Sequence, residues 1–164
     1  MKFMLAVLAL TLAGAAASGA GELPVAPNGI ACLTDYRAWE AVAPSWRDDR
    51  GQIRVILGNP TAMKALRSGT RPFPDGSTFA KLAWSAKKHP KFPLATVPDA
   101  FAQVEFMVKD GEKFKPTGGW GFARFVGQEL KPYGKDASFV LECFGCHTPV
   151  KDNDFVFTHL ATIP

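Results

Sequence analysis

The 164-residue sequence predicts one α+β domain, an antiparallel β-sheet of four to five strands with helices packed against it. Three observations lead there. Runs in which apolar and polar residues alternate with a period of two recur between residues 52 and 126, separated by Pro, Gly and Asp turn signals. Stretches with helical spacing fall between and after these runs, and no internal repeat is present. Fifteen Gly and thirteen Pro weigh against a plain helical bundle, while thirteen Phe, four Trp and two Tyr can fill a single core.

Residues 1–20 read as a signal peptide rather than as fold. Met1 and Lys2 make a short basic start, residues 3–12 are apolar except for Thr11, and the small residues of 13–20 offer cleavage sites after Ala17 or Ala20. The apolar run is shorter than the ~20 residues a membrane span needs. Residues 21–164 are therefore assigned to the domain, with no membrane association expected after cleavage.

The elements follow in order. Residues 21–29, rich in Pro and Gly, suit an extended lead-in. Tyr36, Trp39 and Val42 recur at helical spacing, which predicts a helix over residues 35–42 that ends before Pro44. Ile53, Val55 and Leu57 alternate with their neighbours and predict a strand over 52–58. Asn59 and Pro60 then look like the cap and first residue of a short helix over 61–67. Pro72-Phe73-Pro74-Asp75-Gly76 is a strong turn signal, after which residues 77–85 alternate as a strand. Pro90, Pro93 and Pro98 mark a loop. A strand over 101–109 places Ala102, Val104, Phe106 and Val108 on one face, and a glycine-rich aromatic strand spans 118–126. A helix over 135–143 and an extended tail over 155–158 complete the prediction.

The net charge of +4 comes from scattered basic residues, such as Lys64, Arg67 and Arg71 or Lys87, Lys88 and Lys91. No aromatic stacking pattern is interleaved with them, so nucleic acid is not an expected partner. A solvated basic face explains them better than a dock for an acidic redox partner.

Cys143-Phe144-Gly145-Cys146-His147 carries the chemistry. Cys-x-x-Cys-His is the signature of covalent c-type haem attachment. Two thiols three positions apart reach the two vinyl groups on one porphyrin edge, and the adjacent imidazole ligates the iron. Thioether formation requires reduced thiols outside the cytoplasm, so motif and signal peptide support each other and imply a periplasmic protein. A thioredoxin-like pair would follow an early strand of a βαβ unit, and this pair sits near the carboxy terminus. A structural zinc site would want four ligands, with only His89 and His159 to add. Cys32 is left over as a free thiol, an intermolecular disulfide or a buried apolar residue. Candidate sixth ligands to the iron are Met63, Met107, His89 and His159, none in a distinctive setting.

The chain resembles the cytochrome P-460 family, which also contains the cytochromes c′-beta. The resemblance rests on residues 54–59 (RVILGN), 72–81 (PFPDGSTFAK), 104–110 (VEFMVKD), 117–125 (TGGWGFARF), 143–150 (CFGCHTPV) and 152–158 (DNDFVFT). It implies a largely antiparallel sheet with helices at its side, usually in a homodimer. It also implies a single five-coordinate haem c with His147 proximal and an open distal pocket. In the P-460 branch a lysine after the Pro-Asp-Gly turn is cross-linked to a meso carbon of the porphyrin, and Lys81 stands at that position. A period of two puts Phe79, Lys81 and Ala83 on one strand face, so Phe79 and Lys81 can address one ligand plane. An exposed strand lysine is the alternative.

Hydroxylamine-oxidising members are similar in having a distal carboxylate, which by position falls here at Ala100. Asp99 is adjacent but points to the other face, and Glu105 is either inward or behind the site. Arg54 reads as an exposed strand residue rather than a distal charge. Two functions from the resemblance therefore compete: oxidation of hydroxylamine or nitric oxide with electrons passed to a partner cytochrome, and binding of nitric oxide without turnover. Simple electron transfer by a six-coordinate haem is the third.

Overall fold

The computed structural model describes residues 22–162, so the expected signal peptide lies outside the described residues. Six strands form one antiparallel sheet in sequence order: β1 (Glu40–Arg47), β2 (Gln52–Gly58), β3 (Thr78–His89), β4 (Phe92–Lys109), β5 (Trp120–Val126) and β6 (Lys131–Pro132). Two helices accompany it, α1 (Pro60–Ser68) and α2 (Val140–His147). The α+β class is as expected, with six strands rather than four or five. Among the described residues no helix is long and apolar enough to cross a membrane.

Several expected elements differ. The helix over 35–42 shrinks to one 3₁₀ turn, Asp35–Ala38, after which the chain becomes strand β1. Pro44 lies inside β1 opposite Val55, which is tolerable because β1 is an edge strand and a missing N–H can face solvent. The expected loop at Pro90, Pro93 and Pro98 is instead the outer end of the β3–β4 hairpin, with Lys87 opposite Val97 and Lys88 opposite Thr96. Strand β5 pairs only with residues 103–109 of β4, so the outer edge of β4 is free where Pro93 and Pro98 fall. The carboxy-terminal helix starts later than expected and runs on through His147.

The register sorts the side chains into two layers. Ala80, Val104, Phe106, Ala123 and Phe125 face one way and pack on Ala26, Ile30, Cys32, Tyr36 and Phe139. The lead-in is thus a core layer. Cys32 is 1% exposed, and burial pushes its thiol above the usual range, so the third cysteine serves as a buried apolar residue. Ile56, Phe79, Trp120 and Phe122 face the other way and pack on Phe73, Val156 and the α1 residues Ala62, Met63 and Ala65. Burying each large apolar side chain in these layers contributes ~1.5–3 kcal/mol.

Helix α1 is held where this second layer needs it. Asn59 Oδ1 accepts from the Ala62 N–H (2.9 Å) and the Thr78 N–H (3.1 Å), so one side chain caps α1 and anchors the start of β3. Gly69 closes the helix with φ +66°, a conformation open to glycine.

Candidate haem site

The haem-attachment motif occupies the second half of α2. Asp136 accepts from the Ser138 N–H (2.9 Å) and caps a single turn, Ala137–Phe139, that leads into the helix. Phe139 is buried in the first layer, and its ring lies so close to Gly134 that a Cβ there would come within 2.8 Å of it. This anchor brings the helix against β5. Cys143 is half-buried and Cys146 exposed, three positions apart and so on neighbouring positions of one helix face. Burial pushes the Cys143 thiol upward, against the charge of Arg124.

His147 is the last residue of α2. Its ring lies 5.3 Å from that of Phe122 and 5.1 Å from that of Phe157. Nδ1 is 2.7 Å from the Phe155 carbonyl, to which it donates in the Nδ1–H tautomer. Nε2 is then the lone-pair nitrogen. Burial holds the imidazole below its ordinary pKa and so keeps it neutral, the form that ligates a metal.

The sheet face opposite this helix is laid out by register. Phe79, Met107 and Phe122 are cross-strand neighbours in one row; Ile56, Lys81, Glu105 and Arg124 form the next. Phe79 is 4% exposed and packs edge-on against Phe73 at 5.2 Å. It is a wall of the aromatic core beneath the site. Lys81 forms an ion pair with Glu105, whose other oxygen accepts from Arg124 Nε at 2.6 Å. Burial drives the Glu105 carboxyl upward, but Lys81 and Arg124 outweigh it and hold the group below the usual carboxylate range. His147 rests against Phe122, and Arg124 lies two positions along the same face of β5, so the ion row lies beside the motif.

Two expectations about this face are corrected, and the alternative reading of Lys81 falls away. Lys81 is not a free exposed lysine but part of a partly buried network. Arg54 is half-buried rather than exposed, and its Nε is buried without a hydrogen-bond partner among the described residues. Ala100 is exposed on the hairpin, its N–H bonded to Ser85 Oγ (3.0 Å), five positions along β4 from Glu105 and so roughly 15 Å away. Asp99 beside it pairs with Lys87 at 2.6 Å. The carboxylate on the site face is Glu105. Its signal in the sequence was parity: Glu105 is the residue of β4 whose side follows that of Lys81 across the pair.

Of the four candidate sixth ligands, the structure brings Met107 and Met63 to this side of the sheet. Met63 reaches from α1 into the same apolar cluster, against Gly58, whereas His89 accepts from the Lys91 N–H at the hairpin end and His159 is exposed. A shallow groove bounded by Trp39, Met63 and Arg67 is lined by none of the site residues.

Two thiols at attachment spacing, a neutral imidazole with Nε2 free and an unpaired buried guanidinium nitrogen on the facing sheet fit a covalently bound haem with its anionic propionates. The family model described as Cytochrome P460 matches residues 33–158. Curated proteins contain no match to the chain. The six-stranded antiparallel sheet, the Cys143-x-x-Cys146-His147 helix against it and that match over most of the sequence agree: this chain belongs to the cytochrome P460 family, which implies a covalently bound c-type haem.

Proposed function

We propose that the mature chain, residues 21–164, is a periplasmic haem oxidoreductase that binds and oxidises small nitrogen species, hydroxylamine or nitric oxide. It works as a homodimer and hands the electrons to a partner cytochrome. One observation carries the reading: the row Lys81–Glu105–Arg124 lies on the sheet face beside the haem-attachment helix. Cys143 and Cys146 would attach the haem and His147 would ligate its iron, and the bound group would supply the ligand-binding and electron-accepting chemistry.

The chain's own residues supply the rest. Glu105 is the proton acceptor for the N–H or O–H of hydroxylamine, and Arg124 holds it ionised and oriented. Lys81 is the residue for the porphyrin cross-link, in which an Nζ–H and the meso C–H would give way to a C–N bond, with two electrons passing to a peroxide oxidant, leaving an uncharged amine. Glu105 then keeps only Arg124 as a cation, and burial raises its carboxyl toward the range of a useful base. Phe79, Met107 and Phe122 give an apolar wall that excludes water. That wall also supports the second reading, a nitric oxide binder without turnover.

Optical spectra and steady-state turnover of the haem-loaded protein test this. A strongly red-shifted ferrous Soret band that disappears in Lys81→Leu would support the cross-link. Glu105→Gln is expected to lose ~10²- to 10⁴-fold in hydroxylamine turnover, the usual contribution of a general base. Turnover unaltered by Glu105→Gln would refute the role of Glu105. An unshifted Soret band that responds to nitric oxide, without turnover, would favour the binder.

A further inference from the structure

Asp154 and Phe155, which follow the helical turn after His147, both take the left-handed backbone conformation, with φ of +51° and +62°. Each costs ~1–2 kcal/mol for a residue other than glycine, so the surroundings must impose it. The imposing contacts form one buried cluster. Asp154, 9% exposed, accepts two hydrogen bonds from Lys109 Nζ (2.8 and 2.9 Å) and one from the Phe73 N–H (2.8 Å). Lys109, 7% exposed, also donates to the Gly118 carbonyl (3.1 Å) and lies 4.9 Å from the Trp120 ring centre. Trp120 Nε1 donates to the Asp154 carbonyl (2.8 Å). The Phe155 ring closes over Gly118, where a Cβ would come within 2.3 Å of it. The next carbonyl along the chain, that of Phe155, is the acceptor for His147 Nδ1.

The geometry points to Asp154, held by Lys109, as the positioning residue for the haem-ligating histidine: the buried ion pair fixes the Phe155 carbonyl, and that carbonyl fixes the imidazole. The assignment rests on the ligation of iron by His147 in the reading above. A buried ion pair is a poor source of net stability, and an apolar pair of equal volume often serves as well. What this pair supplies is direction. Three hydrogen bonds converge on one carboxylate and hold two strained residues in the orientation that aims an acceptor at His147. An outer partner of this kind sets the tautomer and ring plane of a ligating histidine and strengthens it as a donor. Lys109 stands on the same face of β4 as Glu105, so one strand orients both the iron's ligand and the proton acceptor.

The test uses the haem-loaded protein and two variants. Asp154→Asn keeps the side-chain shape and removes the charge. The double variant Lys109→Met with Asp154→Leu removes both charges at similar volume, and stays folded if the unpaired lysine of the single variant does not. Resonance Raman of the ferrous protein reads the iron–histidine stretch. Paramagnetic resonance of the nitric oxide complex reads the ratio of iron bound to His147 to iron that has released it. Both variants are expected to lower the stretch and to move that ratio ~10- to 100-fold toward release, the range for losing an outer partner of a metal-bound histidine. A folded variant with wild-type spectra overturns the proposal. So does a five-coordinate high-spin ferrous wild-type haem with no iron–histidine stretch, because His147 is then not the ligand. Neither measurement needs turnover, so these spectra decide the positioning role whatever the substrate proves to be.

Discussion

Removing Arg124 should convert Glu105 from an acid-resistant carboxylate into one that titrates at markedly higher pH. The two are joined at 2.6 Å, with side chains only 22% and 15% exposed. With the charge centres ~4 Å apart and an effective dielectric constant of ~20, their attraction is about 4 kcal/mol. The exposed part of Arg124 lets water screen the pair, and halving the figure leaves ~2 kcal/mol. Glu105 is held below the usual range at present, so the change in Arg124→Gln is upward. The acid limb of the kcat/KM profile for hydroxylamine should move to higher pH. Arg124→Lys keeps the charge and should leave the limb in place, although the cation stacked 4.3 Å over Tyr133 is lost. An acid limb that ignores Arg124→Gln would refute the assignment of Glu105 as the titrating base.

Other outcomes follow from the same geometry. Cys146→Ser should leave Cys143 as the one thioether, seen as a pyridine haemochrome band shifted toward that of vinyl-bearing haem; release of haem to acidified solvent should require loss of both cysteines together with Lys81→Leu. The ion row should stabilise the fold fully above the ordinary glutamate value of ~4.3 and lose that contribution as pH falls through the lowered value of Glu105. Urea unfolding at pH 3 to 7 should show this fall, flattened in Glu105→Gln. Phe79→Ala empties a buried site between Phe73 and Trp120 and should lower the unfolding free energy by ~3–5 kcal/mol.

Much of the fold was legible because local signals and tertiary burial agreed. Asn59-Pro60 both predicted and caps α1, and alternation through Phe79-Ala80-Lys81 matched the faces found. Strand β1 was hidden because Tyr36, Trp39 and Val42 happen to share helical spacing, and only pairing with β2 makes an edge strand containing Pro44 worthwhile. The hairpin end was hidden because prolines are tolerated along a free edge. The attachment motif was legible as five contiguous residues. The site carboxylate was not, since counting backwards along a strand gives no account of which residues lie level across the sheet. Lys81, Glu105 and Arg124 come from three strands and meet only through register. Lys109 and Asp154 are 45 residues apart, and nothing local to either announces the pair.

The sheet is a meander in which every ladder joins neighbouring segments of the chain. Such short-range pairings close early in folding. The last strand ends at Pro132, before either haem-linking thiol, and Asp154 and Val156 follow both. A polypeptide delivered amino terminus first therefore has its scaffold complete before there is anything to attach haem to. Haem attachment would then be a late act of assembly, on a segment that docks through Asp154 and Val156 after the sheet is in place.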